Sequence, residues 1–265
     1  MAGDQETQRR GDNRWSGALG TSYRFWQDGR DYITAYAGYR NAFKPAVIDF
    51  GPEAEPGILQ PEQARSGELG VRGQDLEGRL QWDVSLFRMD FENLVVSQDV
   101  DGAPGLTNAG NERFKGAEAE VRWNLHDGFS AVGTWAYHDA RFADYVQLFG
   151  DTPTQLDGKR LELSPRHVGS LGLMYAPEPG LRANVTVGRV GSRFLNKRNT
   201  ALAGAYTTVD AGIGWRHASW EVRIDGTNLG DRRDPVAESE LGEAQYYRLP
   251  ARAVWASLRY DLGVR

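Results

Sequence analysis

The stretch GAEAEVRWN, residues 116–124, decides the fold. It sets Ala117, Ala119, Val121 and Trp123 on one side of the chain and Glu118, Glu120 and Arg122 on the other. A period of two is the signature of a β-strand, and one wholly apolar face against one wholly charged face means the two sides meet different surroundings. Working outward, the same pattern returns. LRANVTVG opposes Leu181, Ala183, Val185 and Val187 to Arg182, Asn184 and Thr186, and WEVRIDGTN opposes Trp220, Val222 and Ile224 to Glu221, Arg223 and Asp225. AVWASLRYDL opposes Val254, Ala256, Leu258, Tyr260 and Leu262 to Ser257, Arg259 and Asp261. In RLQWDVSLFRMDFEN the apolar phase slips between Leu86 and Phe87, which predicts a bulge or a strand leaving its layer there.

The connections alternate in length. Short turns are expected at QDGR (27–30), DLEG (75–78), HDG (126–128), PEPG (177–180) and 217–218, with long loops near 41–65, 96–111, 141–166, 194–204 and 230–245. Short turns at one end and long loops at the other are the habit of transmembrane barrels, whose strands run about 9–11 residues. Aromatic placement agrees. Trp26, Trp123, Phe129, Tyr175, Trp215, Trp220 and Tyr260 fall near the short-turn end, and Tyr137, Phe194, Tyr206, Tyr246 and Tyr247 near the other. Rings with one apolar and one polar end favour a membrane–water interface. A soluble sandwich buries its large aromatics mid-strand instead.

Composition narrows the classes further. The chain has 265 residues, 40% of them hydrophobic, 32 Gly, 8 Trp and no Cys, so thiolate metal sites and disulfides are excluded. Its mean hydropathy of −0.56 excludes a bundle of spanning helices but leaves a barrel open. A net charge of −5 without a basic block speaks against a nucleic-acid partner. The opening residues, MAGDQETQRRGDNR, lack the apolar run of a secretory signal, so a true amino terminus upstream is expected. Residues 1–14 read as a polar tail or loop and residues 15–262 as the barrel.

Several segments resemble the barrel of TonB-dependent receptors, in the order that family uses. LQPEQARSGELGVRG (59–73) resembles its L-x-P-E … E-x-G segment, WDVSLFRMDFENLVV (82–96) its slF-x-x-d-x-x-n strand, and TNAGNERFKGAEAEVRW (107–123) its return strand. DGKRLELSPRHVGSLGLMY (157–175) and GTNLGDRRD (226–234) are similar to two later family segments. The residues themselves also fit architectural roles. Pro61 and Pro165 cannot donate to a ladder and suit strand starts; Gly116 relieves crowding; Asn228 and Asp231 can bond nearby backbone. The resemblance implies all-β, antiparallel architecture: about eleven strands, half of a large outer-membrane barrel that in the family has about 22 strands around a plug. The plug itself has no counterpart in this sequence. It further implies uptake of a scarce nutrient, most often a ferric siderophore, driven by TonB through amino-terminal parts, with outer-membrane lipid and lipopolysaccharide as surroundings and no cofactor. A small passive pore, or a lipid hydrolase pairing His138 with a serine, are the alternatives from other classes.

No G-x-S-x-G, H-E-x-x-H or P-loop is present, and His126, His138, His167 and His217 are dispersed. Ligand chemistry is therefore expected in the long loops. GSRFLNKRNT (191–200) gathers Arg193, Lys197 and Arg198 beside Phe194, and the last loop offers Arg232, Arg233 and Arg248 with Tyr246 and Tyr247. Guanidinium groups and aromatic faces suit an anionic, ring-bearing chelate. The same loop also carries Asp231, Asp234, Glu238, Glu240 and Glu243, which oppose an anion.

Overall fold

The computed structural model describes residues 13–45, 59–100, 103–108, 110–149, 152–238 and 246–262. Eleven antiparallel strands make one sheet, each paired with its sequence neighbour. In chain order they are β1 (Gly17–Asp28), β2 (Asp31–Lys44), β3 (Glu62–Asp75), β4 (Leu80–Glu92), β5 (Asn111–Asn124) and β6 (Phe129–Asp144). There follow β7 (His167–Tyr175), β8 (Gly180–Val190), β9 (Tyr206–His217), β10 (Trp220–Thr227) and β11 (Ala253–Tyr260). No helix occurs among the described residues. The sheet is open, with β1 and β11 at its edges, as expected of half a barrel. Residues 1–12 of the expected tail, with Glu240 and Glu243, lie outside the described residues.

Register decides which side each residue takes, because directly paired residues in an antiparallel sheet share a face. One unbroken row runs Val71, Val84, Ala119, Trp135 and Gly169. The row beside it on the opposite face runs Arg72, Asp83, Glu120 and Thr134. Farther along, Val185 pairs with Ala211, Ala211 with Gly226 and Gly226 with Val254, all apolar. Large apolar side chains such as Leu69, Leu86, Leu171, Ile213, Ile224 and Leu258 stand exposed on the first face. That is the outward, lipid-facing side of a barrel wall. The other face carries ion pairs: Arg223 holds Asp225 at 2.7 Å and Asn184 at 2.8 Å, and Arg122 lies 2.6 Å from Glu120. This is the wet lumen. Among the described residues the small buried apolar cluster is not at mid-wall but at the long-loop end of β6 and in the loop that follows, around Phe142, Tyr145 and Leu156.

The expected bulge between Leu86 and Phe87 does not form. Pairing runs through it on both sides, Leu86 with Leu69 and Ala117, Phe87 with Glu68 and Gly116. The apolar phase slips because Phe87 turns its ring into the lumen, edge-on to His138 at 5.4 Å. Gly116 makes room for it: a Cβ there would meet the Tyr137 carbonyl oxygen at 2.1 Å and the Phe87 ring at 2.8 Å. The irregularities fall instead at Arg24/Trp26 in β1 and Asn111/Glu112 in β5.

Short turns join the strands at one end, with positive φ at Gly29, Gly78 and Gly128 as tight hairpins require. The long loops at the other end carry small ribbons of their own: Val95–Val100 with Ala103–Asn108, Val146–Phe149 with Thr152–Gln155, Arg193–Phe194 with Leu202–Ala203, and Pro235–Glu238 with Tyr246–Arg248.

Candidate functional site

The long loops between β6 and β7, β8 and β9, and β10 and β11 are fastened to one another. Asn199 is the first pin. Its positive φ of 58° frees the side chain to accept from the Arg160 amide at 2.8 Å and donate to the Arg160 carbonyl at 2.8 Å. Asn can adopt that left-handed conformation at little cost, which is why a loop position of this kind selects it. Lys159 Nζ adds a bond to the Arg198 carbonyl at 2.9 Å, and the Leu163 amide one to the Phe194 carbonyl at 2.8 Å. Asn228 is the second pin. It donates to the Arg232 and Pro250 carbonyls and accepts from the Arg232 amide, closing the last loop on itself. Asp231 does likewise for the Arg252 amide.

The two cation-bearing stretches singled out in the sequence are brought together. Arg193 donates from Nη2 to the Pro235 carbonyl at 2.8 Å and lies 5.2 Å over the Tyr206 ring. At 4% exposure it sits inside the loop layer and presents no guanidinium to solvent. Phe194 is covered by the Arg160 guanidinium at 5.7 Å. Arg198 is exposed and rests 4.8 Å over the Phe149 ring; Lys197 is half-buried beside it. Arg232 is engaged in a bidentate pair with Asp234 at 2.7 and 2.8 Å, and that guanidinium holds the Asp234 carboxyl below the usual carboxylate range. Arg233, Arg248, Tyr246 and Tyr247 are exposed. Arg198, Arg233, Arg248, Tyr246 and Tyr247 are thus exposed candidates, while the guanidinium groups of Arg193 and Arg232 are committed, the first to backbone and the second to Asp234.

The loops also hold a buried group that no sequence pattern announced. The Tyr145 hydroxyl and Glu162 Oε2 are buried without a hydrogen-bond partner. Burial, then Glu162 and Glu112, push the Tyr145 phenol up to about 12, so it stays a neutral donor. Their sequence neighbourhood carries no periodic signal, because three separate segments supply them. The histidine considered for hydrolysis, His138, has its Nε2 3.1 Å from Glu118 in the lumen wall.

Residues 2–229 match the family described as TonB dependent receptor-like, beta-barrel. This chain belongs to that family. The TonB-dependent receptor barrel here is 25% identical over 227 residues to the ferrichrome outer membrane transporter/phage receptor of Escherichia coli K12, covering 84% of this chain and 28% of that protein. It is 28% identical over 237 residues to the ferric-pyoverdine M114 receptor PbuA of Pseudomonas sp. M114, covering 86% of this chain and 28% of that one. The chain therefore spans about three tenths of the length of these relatives. Its fold superposes on the ferric yersiniabactin uptake receptor FyuA of Yersinia pestis with a TM-score of 0.77 at 20% identity, covering 94% of this chain and 37% of that structure. The TonB-dependent receptor barrel is an outer-membrane wall, and the face of Leu69, Leu171, Ile213 and Leu258 is the one that meets lipid.

Proposed function

We propose that this chain supplies the carboxyl-terminal half of the wall, and the loops above it, of a receptor that imports a ferric siderophore. The observation that carries the reading is the likeness to relatives named as ferrichrome, catecholate siderophore and ferric-pyoverdine receptors over most of this chain. The loop surface is compatible with such cargo: Lys197, Arg198, Arg233 and Arg248 supply positive charge, and Tyr246 and Tyr247 supply flat faces for an anionic, ring-bearing chelate. Phe194 and Arg193 serve this site from behind, by holding its loops together, and Arg232 pairs with Asp234 within the last loop. Transport of this kind asks no covalent chemistry of the wall. Energy from TonB would act on a plug amino-terminal to this chain.

The test is iron uptake by the full-length receptor in cells without competing siderophore systems, using a panel of hydroxamate, catecholate and mixed chelates. At least one chelate is expected to support uptake. Changing Lys197, Arg198, Arg233, Arg248, Tyr246 and Tyr247 together to Ala is expected to raise the half-saturating concentration about tenfold at equal surface level. Failure of every chelate overturns the cargo, and an unaltered half-saturating concentration overturns the site.

A further inference from the structure

Two carboxylates are buried together where three chain segments meet above the wall. Glu112 stands second in β5, eleven residues from Trp123. That is about 36 Å along a strand, and at a tilt of about 40° it clears an apolar band of about 25 Å. Glu112 takes the lumen side, paired with Phe91 on β4 and Phe142 on β6, and only 5% of it is exposed. The Phe142 ring lies 5.3 Å from that of Tyr145, which is 3% exposed. Glu162 follows Leu161, which packs on this same cluster and whose amide donates to the Ala140 carbonyl at 3.0 Å. Lys197, half-buried, comes from the loop between β8 and β9.

The polar groups of the cluster do not match as carboxylates alone. Glu162 Oε2 is an acceptor without a donor and the Tyr145 hydroxyl a donor without an acceptor, both cut off from solvent. A buried charge is costly, and two carboxylates at one site repel, so one of them favours its neutral form. For Glu112, burial first and Glu162 next push the carboxyl up to about 7, with Lys197 acting the other way. A protonated Glu112 removes one of the two charges and adds a hydroxyl donor. Across the small cavity beside Glu112, the charges of β3, β4 and β5 are paired with one another: Arg65 lies 3.9 Å from Glu92, and Arg113 lies 2.7 Å from Asp90.

We propose that Glu112 and Glu162 hold one proton between them as a pH-operated latch, which fastens the top of β5 to the β6–β7 and β8–β9 loops. With the proton in place, the three segments pack around a single buried negative charge facing Lys197. When it leaves, two negative charges are confined beside one neutral phenol. Opening relieves them, because water then reaches both carboxylates. The loops concerned are those that Asn199 ties to Arg160 and Leu163 to Phe194, so opening loosens the loop layer and leaves the wall intact. These loops face the medium, so the latch answers to external pH. Its direction follows from linkage. The packed state keeps its proton up to about pH 7, whereas an opened, solvated glutamate gives it up near 4.5. Packing is therefore fully favoured below about 4.5 and weakens as pH rises to about 7. The open fraction grows by up to about tenfold per pH unit in that window and levels off above it. The inference rests on the fold, not on the cargo.

The experiment follows hydrogen–deuterium exchange in the full-length receptor in lipid nanodiscs across this range and up to a pH of about 8, corrected for free-chain exchange. The amides of Leu156, Leu161 and Leu163 should lose protection up to about tenfold per pH unit until about pH 7 and then hold steady, while those of β8 keep theirs. Glu112→Gln is neutral at every pH and should keep the loops protected throughout. An infrared carbonyl band from a protonated carboxylic acid should be present in the parent just below neutral pH, fade above it, and be missing in Glu112→Gln. Equal corrected protection in acid and in base overturns the proposal. So does an unchanged pH slope in Glu112→Gln, which would assign the titration to a histidine. Should Glu112→Gln not assemble, Glu162→Gln decides: removing the neighbouring charge should move the midpoint of the infrared titration to lower pH, and an unmoved midpoint refutes the shared proton.

Discussion

At Gly116 a single hydrogen in place of a side chain lets β5 and β6 close while Phe87 lies across them. A Cβ at this position meets a backbone carbonyl at 2.1 Å, and backbone in mid-sheet cannot step aside as a flexible side chain can. Gly116→Val is therefore expected to destabilise the folded barrel by about 1–3 kcal/mol, read as a lower unfolding midpoint in detergent. Gly67 is the contrasting position, since nothing lies within 4 Å of a Cβ there, and Gly67→Ala should leave the midpoint unchanged. Equal midpoints for the parent and Gly116→Val would show that the close approach is relieved in solution. At the same scale, no neighbouring residue hints at how Arg193 is used. A cation beside Phe194 reads as a ligand group, yet its partner is the Pro235 carbonyl, forty-two residues away. No local pattern records a partner so distant.

For an element such as β8, orientation is what the residues determine. Val185 faces outward in a row with Leu173 and Ala211, and Thr186 faces the lumen opposite Asp210. Val185→Arg places a charge in the apolar band at a cost of about 2–4 kcal/mol, whereas Thr186→Arg gains a carboxylate across the strand pair. Folding titrations into lipid vesicles should show a large loss for the first change and little for the second. Similar tolerance of both would reverse the assignment of faces. The alternation was legible from sequence over 117–123 in β5, 181–187 in β8, 220–225 in β10 and 256–260 in β11, because every side chain of those stretches obeys it. β4 was not, because Phe87 and Met89 are apolar residues on the wet side, and only pairing with Gly116 and Phe114 shows it. The loop pins were half legible: Asn228 and Asp231 were expected to bond backbone, and they do. Asn199, which ties two loops together, carried no such sign.

The molecule as a whole is a wall with two open edges. Every described side chain of β1 and β11 is exposed, and each edge strand has a partner on one side only. Unpaired strand edges recruit other chains. Prepared alone in detergent, this chain is expected to migrate as dimers or larger species in size-exclusion chromatography, and supplying the remaining wall of the receptor should convert it to one defined complex. A well-behaved monomer of the isolated chain would mean that its edges close on each other.

The sequence by itself determined the strands, their two faces, the end that carries long loops and the family, because each of these is written in residues a few positions apart. Only the tertiary structure decided that Arg88 stands opposite Lys115, that Arg193 is spent on Pro235, and that Tyr145 and Glu162 are buried together. These depend on register between strands and contact between loops. Hydrophobic periodicity fixes which face a residue takes, but cross-strand and loop pairings join residues far apart in the chain, and their identity is set only when the backbone hydrogen bonds of the whole sheet are formed.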